Sequence, residues 1–155
     1  MIYQILNFVH VLSVVIWVGG MFFAHFAMRP AATGLEANVR IPFMIDALRR
    51  FFGVVLVAAP VAVLSGLWMI GRVVHQASAA GGHFSMPLGW TTMATLGIIM
   101  LLLFGHIRFA LYRRLQRAGQ AQDRDAAIAA LGSIRQWVFV NLILGLLAIA
   151  AVYLL

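Results

Sequence analysis

Residues 8–30 read FVHVLSVVIWVGGMFFAHFAMRP, and this stretch decides the fold. It is longer than the roughly 20 largely apolar residues that an α-helix needs to cross a bilayer. Three more apolar runs of similar length follow it along the chain. The sequence therefore predicts an all-α integral membrane protein with four transmembrane helices in one antiparallel bundle. The expected spans, within a single domain of residues 1–155, are about 2–28, 51–74, 90–112 and 137–155.

The composition supports a bilayer as the solvent for most of the chain. Of the 155 residues, 64% are hydrophobic and only 10% are charged, and the mean hydropathy is +1.00. Soluble domains carry far more charge than this. Cysteine is absent, which excludes disulfides, thiolate metal sites and covalently attached haem.

The basic residues follow a pattern typical of membrane topology. The formal net charge is +7, and all 11 basic residues are arginine. Most of them lie after the first apolar run or between the third and the fourth, and Arg72 stands alone in the middle loop. Because cytoplasmic loops are enriched in basic residues, we expect loops 1 and 3 in the cytoplasm and both chain ends outside. The expected location is a bacterial-type inner membrane, and the expected partner is the lipid bilayer, not nucleic acid.

Three histidines within the expected spans are the first candidates for a functional role. Ionisable side chains are costly in hydrocarbon and usually functional there, and the chain places His10, His25 and His106 in the spans. At about 3.6 residues per turn, His10, Trp17, Met21 and His25 share one face of the first span. His25 and His106 are expected near the cytoplasmic side, where they could meet, whereas His10 lies roughly 22 Å away. The alternative is that each imidazole only hydrogen-bonds a neighbouring helix.

Imidazole ligands in an apolar helix bundle are typical of b-type haem, which needs no cysteine. The propionates of haem seek arginine near the membrane interface, and Arg29 and Arg113 follow His25 and His106 at helical spacing. The predicted cofactor is therefore haem b. Its candidate iron ligands are His10, His25 and His106, with Trp17 on the same helix face as His10.

Copper is the alternative cofactor, because imidazole and thioether groups both bind copper and the chain contains 8 methionines. His83 and Met86 lie close together in the middle loop and form a candidate copper site outside the membrane. Methionine elsewhere in the chain is more often an ordinary apolar residue of a span.

Several motifs occur in an order that resembles the membrane domain of the copper-resistance D (CopD) family. His10, Trp17, Gly19 and Gly20 match a histidine, a tryptophan two turns later and a Gly-Gly pair in the first helix. The resemblance continues through LRRFF, PVAVLSGLW and FGHIRFALYRRL, and so covers most of the chain. It implies a helical membrane protein with a role in copper resistance or in copper transport across the inner membrane.

The chain is also similar to the HemJ-type protoporphyrinogen oxidases, which have four spans and a b-type haem. That group uses a lysine early in the third helix, but this chain contains no lysine, and Met93 or Ala94 stands about there. The similarity thus implies haem binding with another ligand, and not porphyrinogen oxidation. The matching residues are His10, Pro60, Gly66, Leu67, Trp68 and His106.

These observations lead to three hypotheses about function. The first is a haem b-binding protein that transfers electrons from a quinol or another redox partner, and it would be a haem-dependent membrane oxidoreductase if it turns over a substrate. The second is copper transport or copper resistance. The third is a non-catalytic membrane partner, either in a larger complex or as a homo-oligomer.

Overall fold

The computed structural model describes residues 1–81 and 85–155. All regular structure in these residues is helical, in four long helices that are each apolar enough to cross a membrane. The predicted all-α membrane fold with four spans is therefore confirmed. The helices are α1 (Ile2–Thr33), α2 (Ala37–Ala79), α3 (Leu88–Gln120) and α4 (Arg124–Leu154).

Successive helices run in opposite directions, so the bundle has two distinct ends. The terminal end carries Met1, the α2–α3 connection and Leu155. The arginine end carries the α1–α2 and α3–α4 connections, together with most of the arginines. The charge pattern predicts that the arginine end faces the cytoplasm.

All four helices extend further than the apolar runs predict, and in the second half of the chain α3 continues to Gln120 and α4 begins at Arg124. α1 continues through Pro30 to Thr33, because proline at the start of a helical segment has no N–H that needs a partner. α2 begins at Ala37 and not near residue 51, because residues 37–50 form an amphipathic extension that buries Met44 and Leu48. Because charged residues lie on the other face of this extension, it does not form a purely apolar run in the sequence.

A π-turn interrupts each of the two helices that begin at the terminal end. These turns are Ala24–Met28 in α1 and Ile107–Leu111 in α3, both toward the arginine end. A π-turn inserts one extra residue into the helical repeat and therefore rotates the following side chains to a different face.

The helices pack as two hairpins that meet mainly in the arginine half of the bundle. α1 lies along α2 and α3 lies along α4, whereas contacts between the hairpins are sparser. Phe52, Ile107, Tyr112 and Leu115 are at most 1% exposed and fill the space between the hairpins. The Tyr112 hydroxyl also donates a hydrogen bond to the Ile45 carbonyl at 3.0 Å, which ties α3 to the extension of α2.

Candidate functional site

A cavity of about 520 Å³ lies inside the terminal half of the bundle, where the two hairpins separate. All four helices line this cavity, mostly with apolar side chains. Its volume falls within the roughly 300 to 1,000 Å³ typical of ligand sites, so the cavity is the candidate functional site. The lining side chains that carry polar groups or possible metal ligands are Tyr3, Asn7, His10, Trp17, Met69, Trp90, Met93, Met100 and Tyr153.

The imidazole of His10 is held by α2 in one tautomer. Its Nδ1 lies 2.8 Å from the Ala62 carbonyl oxygen, which can only accept a hydrogen bond, so Nδ1 must carry the proton. In the neutral ring, Nε2 then keeps a free lone pair. A backbone carbonyl that fixes the tautomer in this way is the usual outer partner of a metal-binding histidine.

The surroundings of the ring leave it little freedom. A Cβ atom at Gly66 would lie 2.9 Å from Cε1 of His10, so only glycine at this position lets the ring pack against α2. The hydroxyl oxygen of Ser65 lies 3.3 Å from Nδ1 and donates to the Val61 carbonyl at 2.5 Å. The face of α2 that passes His10 is thus shaped to receive an imidazole.

Trp17 forms the floor of the cavity together with an aromatic cluster. Its ring meets Phe104 edge to face at 6.5 Å, Phe104 meets Phe52 at 5.9 Å, and Phe52 meets Tyr112 at 5.4 Å. This cluster closes the cavity on the side of the arginine end. The Trp17 indole Nε1 is buried and has no hydrogen-bond partner among residues 1–81 and 85–155.

Asn141 is a second buried polar residue without a partner. Its side chain is fully buried in α4, and neither amide atom forms a hydrogen bond to any residue that the structure describes. Among the described residues, the Asn141 amide thus makes no hydrogen bond to a neighbouring helix. An unpaired amide in such surroundings carries a free-energy cost of about 1 to 3 kcal/mol.

The structure does not bring His25 and His106 together. His25 stacks on Phe139 at 4.7 Å, whereas His106 is exposed and meets Trp137 edge to face at 5.8 Å. Positions 137 and 139 are about 200° apart around α4, so the two histidines lie on different sides of that helix. In the described chain, no three His, Cys, Asp or Glu side chains are grouped so that they could hold a metal ion.

The predicted propionate partners also lie away from the cavity. Arg29 is half-buried at the arginine end, one turn beyond His25. Arg113 is exposed at the same end, with its guanidinium carbon 5.9 Å from the centre of the Phe109 ring. Of the described residues that line the cavity, none is an arginine. The sequence-predicted site residues thus fall into two groups, of which only His10 and Trp17 share the cavity.

The candidate copper site in the middle loop is only partly described. His83 lies outside the described residues. Met86 is exposed, just before the start of α3. Neither observation tests the predicted pairing of the two side chains.

Several cavity residues carry no obvious signal in the sequence. Met93, Gly97 and Met100 follow one another at helical spacing on α3, and this spacing could have marked a common face. Met69 of α2 has no such pattern around it, because an apolar residue in an apolar span is not distinctive. Only the packing of the helices shows that these methionines share a cavity with His10.

Comparison with known proteins gives a match to a family. The family model described as copper resistance protein D matches residues 45–155. This range includes Gly66, Met69 and Met93 and leaves out His10 and Trp17. No curated protein and no solved structure matches the chain. The likeness to the HemJ-type oxidases stays a prediction.

Proposed function

The chain belongs to the copper resistance protein D family, and on this basis we propose that it takes up copper into the cavity of the terminal half as a step in copper transport. The family and the four apolar helices make the chain a multi-pass membrane protein related to copper resistance. The family supports the copper hypothesis better than the haem hypothesis. Transport itself and the site of binding are the proposal.

One observation carries the proposal, namely the fixed tautomer of His10. The Ala62 carbonyl holds the Nδ1 proton, so the Nε2 lone pair is available to a metal ion without any prior rearrangement. The ring lines a cavity wide enough for an ion to enter. No other described histidine combines a fixed tautomer with a cavity.

The test is copper accumulation in cells that express the chain and lack their own copper importers. Wild-type protein is expected to raise cell copper, and His10→Ala is expected to abolish the increase. His75→Ala is the matched control, because His75 is exposed on α2 and does not line this cavity. Equal copper accumulation by wild type and His10→Ala, at equal protein levels in the membrane, would show that the proposal is wrong.

Haem b is a second candidate, favoured by the volume of the cavity. About 520 Å³ is more space than a lone ion requires, and His10 could serve as one axial ligand. Arg29 and Arg113 do not line the cavity, and neither does any other arginine that the structure describes, so these two residues do not fit the role of propionate partners there. An absorption spectrum of protein purified from haem-supplied cells separates the two candidates, because only haem gives a Soret band that shifts on reduction.

A further inference from the structure

Most of the side-chain donor atoms around the cavity are soft, and the hard oxygen donors among the described lining residues are the uncharged groups of Tyr3, Asn7 and Tyr153. Among the described residues that line it, there is one imidazole, three thioethers and no carboxylate, and the chain has no cysteine. Cu(II) and Zn(II) prefer several nitrogen or oxygen ligands, whereas thioethers select Cu(I). The ligand atoms of the cavity therefore favour the soft ion Cu(I) over the harder ions Cu(II) and Zn(II).

The charge of the cavity favours the same ion. Its walls are mostly apolar, and no acidic residue of the described chain lines it. The cost of moving an ion from water into such a site rises with the square of its charge, so a divalent ion costs about four times as much as a monovalent one. Without a carboxylate to offset that cost, the monovalent ion is strongly preferred.

The depth of each side chain shows which thioethers can reach His10. A Cβ atom at Gly145 would lie 3.0 Å from atoms of both Met100 and Val18, so these two residues share one depth. α1 and α3 run in the same direction. Counting seven residues toward the terminal end from Val18 and from Met100 leads to Val11 and Met93, so these two residues also share one depth. Met93 therefore lies at the depth of His10, whereas Met100 lies about 10 Å deeper.

Met69 approaches the same depth from α2. His10 contacts α2 between Ala62 and Gly66, and Met69 follows Gly66 by three residues, or about 5 Å along the axis. A methionine side chain spans a distance of this order. Met93 and Met69 therefore lie near the depth of the imidazole, on two different helices that line the same cavity.

Core packing accounts for Met100 but not for the other two methionines. Met100 is 3% exposed and belongs to the hydrophobic core that continues into the arginine half. Met69 and Met93 line the cavity without belonging to that core or packing against it. Their thioethers thus remain available to a ligand.

We propose that this cavity is a Cu(I) site in which Nε2 of His10 and the thioethers of Met93 and Met69 bind the ion. The inference rests on the proposed function and goes beyond it by naming the oxidation state and the ligands. It assigns Met100 to the floor beneath the site and not to the ligand set.

Direct titration of the purified full-length protein tests the ligand set. Cu(I) affinity is measured anaerobically in detergent by competition with a chromogenic Cu(I) chelator, and Ag(I), Cu(II) and Zn(II) are titrated in parallel. Wild type is expected to bind Cu(I) and Ag(I) and to bind Cu(II) and Zn(II) at least tenfold more weakly. Met93→Leu is expected to weaken Cu(I) binding by at least about tenfold, since even changes outside the first ligand shell cost 10- to 100-fold.

Leucine preserves the size of the side chain, so the variants separate ligation from packing. Met69→Leu is expected to act in the same direction, the double variant more strongly, and Met28→Leu, which lies outside the cavity, not at all. X-ray absorption of the Cu(I) complex is expected to show sulfur neighbours that are lost in the double variant.

The outcomes distinguish the two proposals. If His10→Ala abolishes copper accumulation in cells but Met93→Leu and Met69→Leu bind Cu(I) like wild type, the transport proposal stands and the ligand set is wrong. If wild type binds Zn(II) or Cu(II) as tightly as Cu(I), the selectivity is overturned. If His10→Ala leaves copper accumulation unchanged while the purified protein binds Cu(I) as described, the transport proposal is wrong and the proposed Cu(I) site is supported.

Discussion

The two halves of the bundle consist of the same four helices but are filled very differently. In the arginine half, large side chains such as Phe52, Tyr112 and Leu115 occupy the space between the hairpins almost completely. In the terminal half, several of the positions that face the interior carry alanine or glycine, and a cavity remains. The small lining residues include Ala62, Gly66, Ala94, Gly97, Gly145 and Ala148.

The two halves therefore have different roles: the arginine half stabilises the bundle, and the terminal half provides space for a ligand. Dispersion and close packing hold the hairpins together where large side chains interdigitate. The cavity forgoes those contacts and gains room for an imidazole, thioethers and a ligand. We therefore expect substitutions in the arginine half to change mainly stability, and substitutions in the terminal half to change mainly binding.

The largest effect on stability is expected for Phe52→Ala, which would break the packed half. Phe52 is 1% exposed and contacts three other aromatic rings, so its truncation should lower the free energy of unfolding by about 3 to 5 kcal/mol. Denaturant titration in detergent, followed by circular dichroism, measures this loss. Val57→Ala is the control, because Val57 is 67% exposed toward lipid. Equal losses in the two variants would contradict the difference between the halves.

Gly66→Ala probes the wall that holds His10. The added Cβ would lie 2.9 Å from the imidazole, so the ring must move at a cost of about 1 to 3 kcal/mol. We also expect Cu(I) affinity to fall, because the Nδ1 contact with the Ala62 carbonyl is lost. Gly71→Ala is the control on the same helix, since a Cβ there meets no atom within 4 Å. Identical binding by the two variants would mean that α2 does not position the imidazole.

Asn141→Leu is expected to raise the stability of the bundle, whereas the two preceding substitutions lower it. Because neither amide atom has a described partner, a leucine, which has the same branching and the same number of heavy atoms, should raise the free energy of unfolding by about 1 to 3 kcal/mol. Thermal unfolding in detergent measures the change. A lower stability would show that the amide makes a bond that the described residues do not supply.

The smallest effect is expected for Tyr112→Phe, which removes one hydrogen bond from the packed half. Loss of the bond to the Ile45 carbonyl should cost about 0.5 to 1.5 kcal/mol, with Cu(I) binding unchanged. Tyr153→Phe is the control for stability alone, since Tyr153 is 83% exposed at the terminal end but lines the cavity. A change in Cu(I) affinity in Tyr112→Phe would show that the two halves are coupled.

The fold follows from the sequence to a large extent because hydropathy alone reveals spans in a bilayer. The limits of the helices do not follow as well, and α2 shows why. Residues 37–50 bury Met44 and Leu48 against other helices while Arg40, Arg49 and Arg50 lie on other faces. When hydropathy is averaged over a window, the arginines offset the apolar residues and the segment no longer stands out, although the helix continues through it.

The candidate site is predictable only in part, and the histidines show the reason. His10 and Trp17 share a face of regular α-helix, and both line the cavity. His25 lies in a π-turn, where counting 3.6 residues per turn no longer gives the direction of a side chain. The position of His106 relative to His25 depends on how α4 packs between them, which no spacing in the sequence encodes.

The lengths of the helices determine how deep the cavity lies in the bundle. His10 lies eight residues, or about 12 Å, from the start of α1 at Ile2, and Met93 lies five residues, or about 8 Å, from the start of α3 at Leu88. Both distances are shorter than half of the roughly 30 Å of hydrocarbon that a span crosses. With the terminal end at the membrane surface, the site therefore lies in the outer part of the membrane and not at its midplane. A monovalent cation bound there has crossed less than half of the membrane field, so each 100 mV of potential changes its binding free energy by about 1 kcal/mol or less.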